Sequence, residues 1–128
     1  MKTTLCSLLA VFAILIPKTS IAEPDKVKYE LARECVKDVS DYVAEREKRY
    51  TVILSRVHYN AALNKCFAEL ATYTNNKSIT ANIVDILERR PIAGYGYDDN
   101  KTFFCWALNS KCTKDDEFKA LTEHLFSD

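Results

Sequence analysis

The sequence predicts an α+β domain with an N-terminal helix, a small antiparallel sheet of three to five strands, a C-terminal helix and two disulfides. Three observations predict this fold class. Apolar residues recur every three or four positions near both ends of the chain, which is typical of amphipathic helices. The middle of the chain is rich in β-branched and aromatic residues separated by short polar turns. Four well-separated cysteines follow residue 22.

The two helices are predicted from their apolar stripes and their start signals. Residues 26–49 carry one stripe through Leu31, Cys35 and Val39, and Pro24 and Asp25 precede it as a helix start. Residues 114–126 place several apolar side chains on one face, namely Phe118, Leu121, Leu125 and Phe126. The sequence from Thr113 to Asp116 resembles a capping box, which marks the beginning of this second helix.

The strands are predicted between these helices and follow one another through short turns. They cover residues 51–59, 65–74, 78–87, 92–97 and 103–108. Turns at residues 75–77, 88–91 and 98–100 are short enough for an antiparallel meander. Gly94 and Gly96 are not followed by the Lys-Ser/Thr pair of a phosphate loop. We therefore expect them to mark a bulge or a close approach of the backbone.

Residues 1–22 have the organisation of a secretory signal peptide. Lys2 precedes an apolar run over residues 5–16, Pro17 breaks it, and small residues lie at Ser20 and Ala22. A membrane anchor is the alternative, but a spanning helix needs roughly 20 apolar residues and this run has 12. We predict cleavage after residue 22, a single mature domain over residues 23–128, and a periplasmic or secreted location.

The charge balance and the apolar pattern of the mature chain argue against a nucleic-acid partner and against a membrane span. Removing 22 of the 128 residues leaves 106, with 16 Lys and Arg against 18 Asp and Glu. A nucleic-acid-binding protein needs an excess of cationic residues, so we expect no nucleic acid as partner. No later apolar stretch is long enough to cross a bilayer, so we expect no integral membrane span in the mature chain.

The mature cysteines are predicted to form disulfides. Cys35, Cys66, Cys105 and Cys112 make an even number in a short exported chain. A zinc site is the alternative, but its ligands usually include closely spaced pairs such as C-x2-C. Three pairings remain open, and we favour Cys35–Cys66 with Cys105–Cys112, because the second pair could close one hairpin.

Groups suited to catalysis are sparse. The histidines are His58 and His124, and the serines lack a nucleophile-elbow pattern. A cysteine nucleophile is disfavoured because oxidation would occupy the thiols. We therefore expect no catalytic residue, no metal site and no cofactor, and we predict that the protein is not an enzyme.

The aromatic residues offer the best candidates for binding a partner. Tyr95, Tyr97 and Trp106 lie within twelve positions, together with Phe103 and Phe104. Alternation along a strand places Tyr95 and Tyr97 on the same face. These rings either fill the core or, if they are exposed together, form an interface anchor. We take Tyr95, Tyr97 and Trp106 as candidate partner-binding residues.

Two stretches resemble a class of short exported bacterial proteins that carries no established activity. Residues 58–66 are similar to its Tyr-Ser-Pro-x-Leu-x-x-Cys stretch, with Asn60 and Ala61 in place of Ser-Pro. Residues 105–118 are similar to its closing cysteine pair and Glu-Phe helix, and residues 85–86 match an Asp-containing strand. The resemblance spans nearly the whole mature chain and implies export and a similar architecture, without a mechanism.

These observations together predict an exported binding or interaction domain without enzymatic activity. A specific version is an inhibitor or immunity-type protein that acts on another exported or envelope protein. The alternative is a small-ligand carrier or an enzyme with an enclosed pocket. A solvent-accessible cavity lined by His58 or by clustered carboxylates would favour the carrier or enzyme. A filled core with a flat aromatic patch on the surface would favour the interaction domain. The oligomeric state stays open.

Overall fold

A computed structural model describes residues 23–74, 78–98 and 101–128. The predicted signal peptide and the predicted turn at residues 75–77 lie outside this part of the chain. So do residues 99 and 100 of the predicted loop. Within the described ranges, no helix has the length and apolar character needed to cross a bilayer. The elements in chain order are α1 (Glu23–Glu47), β1 (Thr51–Asn60), β2 (Lys65–Thr74), β3 (Ser78–Asp85), β4 (Arg90–Asp98), β5 (Lys101–Ala107), β6 (Ser110–Lys111), α2 (Asp115–Thr122) and a final 3₁₀ turn, η1 (Glu123–Phe126).

Helix α1 buries the predicted stripe against the sheet. Cys35, Val39 and Tyr42 are each at most 5% exposed and are separated by three or four positions, so they lie on one face of the helix. The helix begins at Glu23, three residues before the predicted start. Pro24 is tolerated there because the amides of the first turn need no partner within the helix.

The strands of the described chain form one antiparallel sheet in the order β1-β2-β3-β4-β5-β6. The meander and the α+β class are therefore confirmed, but the expectation of three to five strands is wrong by one. The additional strand is β6, which has two residues and pairs with β5 through Trp106 and Ala107. Both of its residues, Ser110 and Lys111, are exposed, so it carries no apolar pattern from which it could be predicted.

The residue at the turn before β6 explains why this strand could not be predicted from the sequence. Leu108 adopts a φ of 56° and donates its backbone N–H to the carbonyl of Ile92 at 2.8 Å. A positive φ at the first position of a two-residue hairpin loop is usually supplied by glycine or asparagine. A leucine there costs roughly 1–2 kcal/mol and gives no turn signal, which is why residues 103–108 look like an uninterrupted strand.

The two helices pack on opposite faces of the sheet. Side chains alternate along β2, so that Cys66, Ala68 and Leu70 join the core under α1, whereas Phe67 joins the core under α2. Strand β3 divides in the same way, with Val84 towards α1 and Ile83 towards α2. The central strands are therefore apolar on both faces, because both faces are covered.

Both favoured cysteine pairings are present in the structure. Cys35–Cys66 joins α1 to β2, with the Cα atoms 5.4 Å apart. Cys105–Cys112 closes the β5–β6 hairpin, with the Cα atoms 4.9 Å apart. The first bridge therefore attaches the helix of one face to the sheet, and the second fixes the segment that leads into α2.

The C-terminal helix begins with a different cap from the predicted one. The acceptor is Glu117 rather than Asp116, because Glu117 Oε2 lies 2.8 Å from the backbone nitrogen of Thr113 and 3.1 Å from its hydroxyl. Helix α2 covers Asp115–Thr122. The last four residues of the predicted helix, Glu123–Phe126, form the 3₁₀ turn η1 instead.

A buried asparagine fixes η1 against the sheet. Asn60 is 2% exposed, and its side-chain amide donates to the carbonyls of His124, Leu125 and Ser127 at 3.2, 3.4 and 2.9 Å. Its side-chain oxygen accepts the backbone N–H of Leu63 at 2.9 Å. These bonds hold the C-terminal segment against the end of β1 that carries Asn60. The segment therefore does not cover the opposite end of the sheet.

Candidate protein-binding face

Two neighbouring rows of the sheet carry large apolar side chains on the face towards α2. In the first row Ile53 pairs with Ala71, Ala71 with Ala81, and Ala81 with Tyr95. In the second row Tyr73 pairs with Ile79, and Ile79 with Tyr97. Directly paired residues of an antiparallel sheet point to the same face. We name the large members of these rows the aromatic face: Ile53, Tyr73, Ile79, Tyr95 and Tyr97.

The aromatic face is left uncovered because the C-terminal elements lie elsewhere. Helix α2 packs on β4 and β5, and η1 packs on β1, towards the end of the sheet that carries Asn60. The two rows extend towards the other end, and α2 contacts them at Tyr95, through the ring of Phe118. Ile53 is consequently 48% exposed and Tyr73 39% exposed, whereas Ile79 and Tyr97 are half-buried.

Edge-to-face contacts between aromatic rings connect the aromatic face to the core. Phe118 of α2 is 1% exposed, and its ring centroid lies 4.6 Å from that of Tyr95 in an edge-to-face arrangement. Tyr95 in turn contacts Tyr97 edge to face at 5.2 Å. Such pairs contribute about 0.5–1.5 kcal/mol beyond the area that they bury. Tyr97 is therefore held in position from beneath while part of it faces solvent.

The two tyrosines keep their hydroxyl protons. Partial burial raises the pKa of both Tyr95 and Tyr97, and the nearby carboxylate of Asp115 raises both pKa values further. Desolvation and a neighbouring negative charge each disfavour the phenolate. Both phenols therefore remain neutral at physiological pH and can donate a hydrogen bond at the rim of an apolar surface.

Trp106, the third candidate, lies on the opposite face of the sheet. It pairs with Gly94, Gly94 pairs with Asn82, and Asn82 pairs with Leu70, which belongs to the core under α1. The structure thus brings Tyr95 and Tyr97 together and separates both from Trp106. The indole lies over Gly94, where a Cβ would be 3.1 Å from Trp106 Nε1; this is the close approach expected at that glycine.

Three members of the aromatic face were missed by sequence analysis. Ile53, Tyr73 and Ile79 come from β1, β2 and β3, and all three lie outside the aromatic-rich segment of residues 95–106. Only the strand register places them beside the tyrosines of β4. Tyr73 was detectable in principle, because the short turn predicted from the sequence at residues 75–77 limits which residues can pair across that hairpin.

The titratable groups considered for chemistry lie outside the aromatic face. His58 is half-buried on β1, with Nε2 3.4 Å from the carboxylate of Asp128. His124 is exposed in η1. In the part of the chain that the structure describes, no three His, Cys, Asp or Glu side chains are arranged to hold a metal ion. His58 and His124 therefore belong to no such cluster in the described residues.

Comparisons with known proteins identify no relative of this chain. The chain matches no protein-family model, and searches of curated proteins and of solved structures return no significant match.

Proposed function

We propose that this protein is an exported binding domain whose aromatic face docks onto another exported or envelope protein. The observation that carries the proposal is the exposure of Ile53 and Tyr73 on the sheet face that also carries the buttressed ring of Tyr97. Contiguous exposed apolar surface on a small soluble domain typically marks an interaction site.

The chemistry of this face favours a protein over a small molecule as the partner. Tyrosine is enriched among the residues that dominate protein interfaces, because it buries a large area and loses little side-chain entropy. Ile53 also lies on β1, which forms one edge of the described sheet. The face is therefore open from the side and suits a broad partner surface better than an enclosed ligand.

An inhibitor or immunity-type role is the version that we favour. Such a protein must remain rigid outside the cytosol, and the two disulfides of the structure serve that purpose. It must also present a preformed surface, because ordering side chains on binding costs about 0.5–1.5 kcal/mol for each flexible one. The contact of Tyr97 with Tyr95 reduces that cost.

The proposal is tested by isolating the partner and measuring its affinity. The oxidised protein is used to capture envelope proteins from its native host, and each candidate is then purified and titrated by calorimetry. We expect one exported protein to bind in a 1:1 complex. Tyr97→Ala should weaken its binding by at least about 30-fold, which corresponds to the loss of about 2 kcal/mol expected at an interface anchor.

The matched control is Tyr29→Ala, since Tyr29 is 70% exposed on α1 and lies outside the aromatic face. This variant should bind within about twofold of the parent protein. Equal loss in both variants, or none in either, argues against the aromatic face as the docking surface. A co-purified small molecule in place of a protein partner would support the ligand-carrier alternative instead.

A further inference from the structure

A cationic cleft lies at the C-terminal end of α1, on the opposite side of the sheet from the aromatic face. Its volume is about 530 Å³, and the residues that line it are Tyr42, Glu45, Arg46, Lys48, Arg49, Tyr50 and Arg89. Four of these side chains are cationic and one is a carboxylate, so the cleft carries an excess of three positive charges. This local excess contrasts with the small negative charge of the mature chain.

Two of the arginines are held in place by Tyr42, which is 5% exposed. Arg46 donates from Nε and Nη2 to the hydroxyl of Tyr42 at 3.1 and 2.9 Å. Arg89 lies with its guanidinium carbon 5.5 Å from the centroid of the same ring and pairs with Glu45. Guanidinium groups fixed in this way lose little further freedom when they bind an anion.

The other two cations are available to a ligand. Lys48 and Arg49 are exposed, and neither forms an ion pair with any residue that the structure describes. A cation at a helix C-terminus complements the helix dipole, which accounts for Arg46 in the last turn of α1. It does not account for Arg89, which comes from the turn after β3.

The backbone conformation of Arg89 also indicates that its side chain has a role in the cleft. Its φ is 52°, a conformation that costs a non-glycine residue free energy and is often retained at functional sites. A glycine would remove this cost. The arginine is instead kept at a position from which its side chain reaches the end of α1.

We propose that this cleft binds a terminal phosphate group, either a phosphomonoester or a diphosphate. Arginine forks bind phosphate oxygens through paired N–H donors, and a group with two or more negative charges matches the excess of three positive charges. A singly charged phosphodiester or carboxylate matches it less well. The phosphate can belong to a soluble molecule or to a lipid headgroup. The inference is independent of the proposed protein partner.

The proposal is tested by titrating the purified, oxidised protein with inorganic pyrophosphate in low salt. We expect a dissociation constant of about 1 mM or lower, which rises with ionic strength because screening weakens these contacts. Arg49→Glu should raise it at least about tenfold. The matched control is Lys37→Glu, which makes the same change of charge at an exposed position within α1 and should leave the constant within about twofold.

Arg89→Gly separates binding from folding. Glycine accepts the backbone conformation of this position, and the exposed pair with Glu45 that is lost contributes little to stability. We expect this variant to unfold at no lower temperature than the parent protein and yet to bind pyrophosphate at least about fivefold more weakly.

A second arm identifies the source of the phosphate. Vesicles of phosphatidylcholine with and without phosphatidic acid are sedimented with the protein. Binding that requires phosphatidic acid and is lost in Arg49→Glu indicates a lipid headgroup, whereas binding of pyrophosphate alone indicates a soluble ligand. The proposal is overturned if neither probe binds at about 10 mM phosphate, or if Arg49→Glu and Lys37→Glu behave alike.

Discussion

Gly94 leaves room for two larger side chains on the α1 side of the sheet. A Cβ at this position would lie 2.7 Å from Asn82 Oδ1 and 3.1 Å from Trp106 Nε1. The absence of a side chain thus allows Trp106 to lie across β4. The sequence indicates that a glycine here has a packing role, but it does not indicate which residues approach it, because they come from β3 and β5.

Gly94→Ala is therefore expected to lower the free energy of unfolding by about 1–3 kcal/mol, the usual cost of inserting a methyl group into a filled space. The measurement is urea-induced unfolding followed by tryptophan fluorescence, which also reports displacement of Trp106. Adding Asn82→Ala removes the closer clash and should recover part of the loss. Unchanged stability in the single variant would contradict the packing seen at Gly94.

The candidate residues divide according to how local their signal is. Tyr95 and Tyr97 were identified from alternation along one strand, which is a property of adjacent sequence. The separation of Trp106 from these two tyrosines depends instead on which face of the sheet each residue occupies, and the pairing between strands determines that face. Ile53 and Tyr73 contribute through register alone. The candidates predicted from the sequence therefore comprise part of the aromatic face, Tyr95 and Tyr97, and one residue outside it, Trp106.

The strands were predictable because their residues have strong β propensity, and β2 has the predicted bounds of residues 65–74. Strand β6 was not predictable, because its turn uses Leu108 where glycine or asparagine is usual. The cap of α2 was displaced by one residue, since Asp116 and Glu117 are both acidic and only the geometry distinguishes them. Element types were thus easier to predict than their ends.

The cap of α2 makes stability depend on pH. The N–H of Thr113 donates to Glu117 and lowers the pKa of its carboxyl group below the usual value. Because this pKa is lower in the folded than in the unfolded state, the ionised carboxylate stabilises the fold above the unfolded-state pKa. The contribution is lost as pH falls through the folded-state pKa.

Glu117→Gln should therefore be less stable than the parent protein near neutral pH, and the difference should shrink below about pH 5. Thermal unfolding measured from about pH 7 to pH 3 provides the comparison. Glu34→Gln on exposed α1 surface is the control and should show no such convergence. A difference that stayed constant with pH would rule out the ionised cap as its cause.

The two disulfides should differ in their contribution because they close chain segments of different length. The bridged positions are 31 residues apart in Cys35–Cys66 and 7 apart in Cys105–Cys112. Loop-closure entropy then predicts a loss of about 4 kcal/mol for Cys35→Ala with Cys66→Ala and about 2.5 kcal/mol for Cys105→Ala with Cys112→Ala. Denaturant unfolding of the two double variants tests the order; the reverse order would contradict the estimate.

The arrangement of helices on both faces of the sheet determines which surfaces remain free. Helix α1 and its disulfide cover part of one face, whereas α2 and η1 cover one end of the other. The aromatic face is the uncovered end. The cationic cleft depends in the same way on tertiary structure, because it joins Arg89 to residues of α1 about forty positions earlier. A balanced net charge therefore does not exclude a local cationic site.

Photo-crosslinking from defined positions tests the docking of a partner on the aromatic face most directly. A photoreactive phenylalanine analogue is placed in turn at Tyr97, Tyr73, Trp106 and Tyr29, and the protein is illuminated with its native envelope fraction. We predict that Tyr97 and Tyr73 yield a crosslink to the same exported protein, whereas Trp106 and Tyr29 do not. Crosslinks from Trp106 or Tyr29 alone would contradict the proposed docking surface.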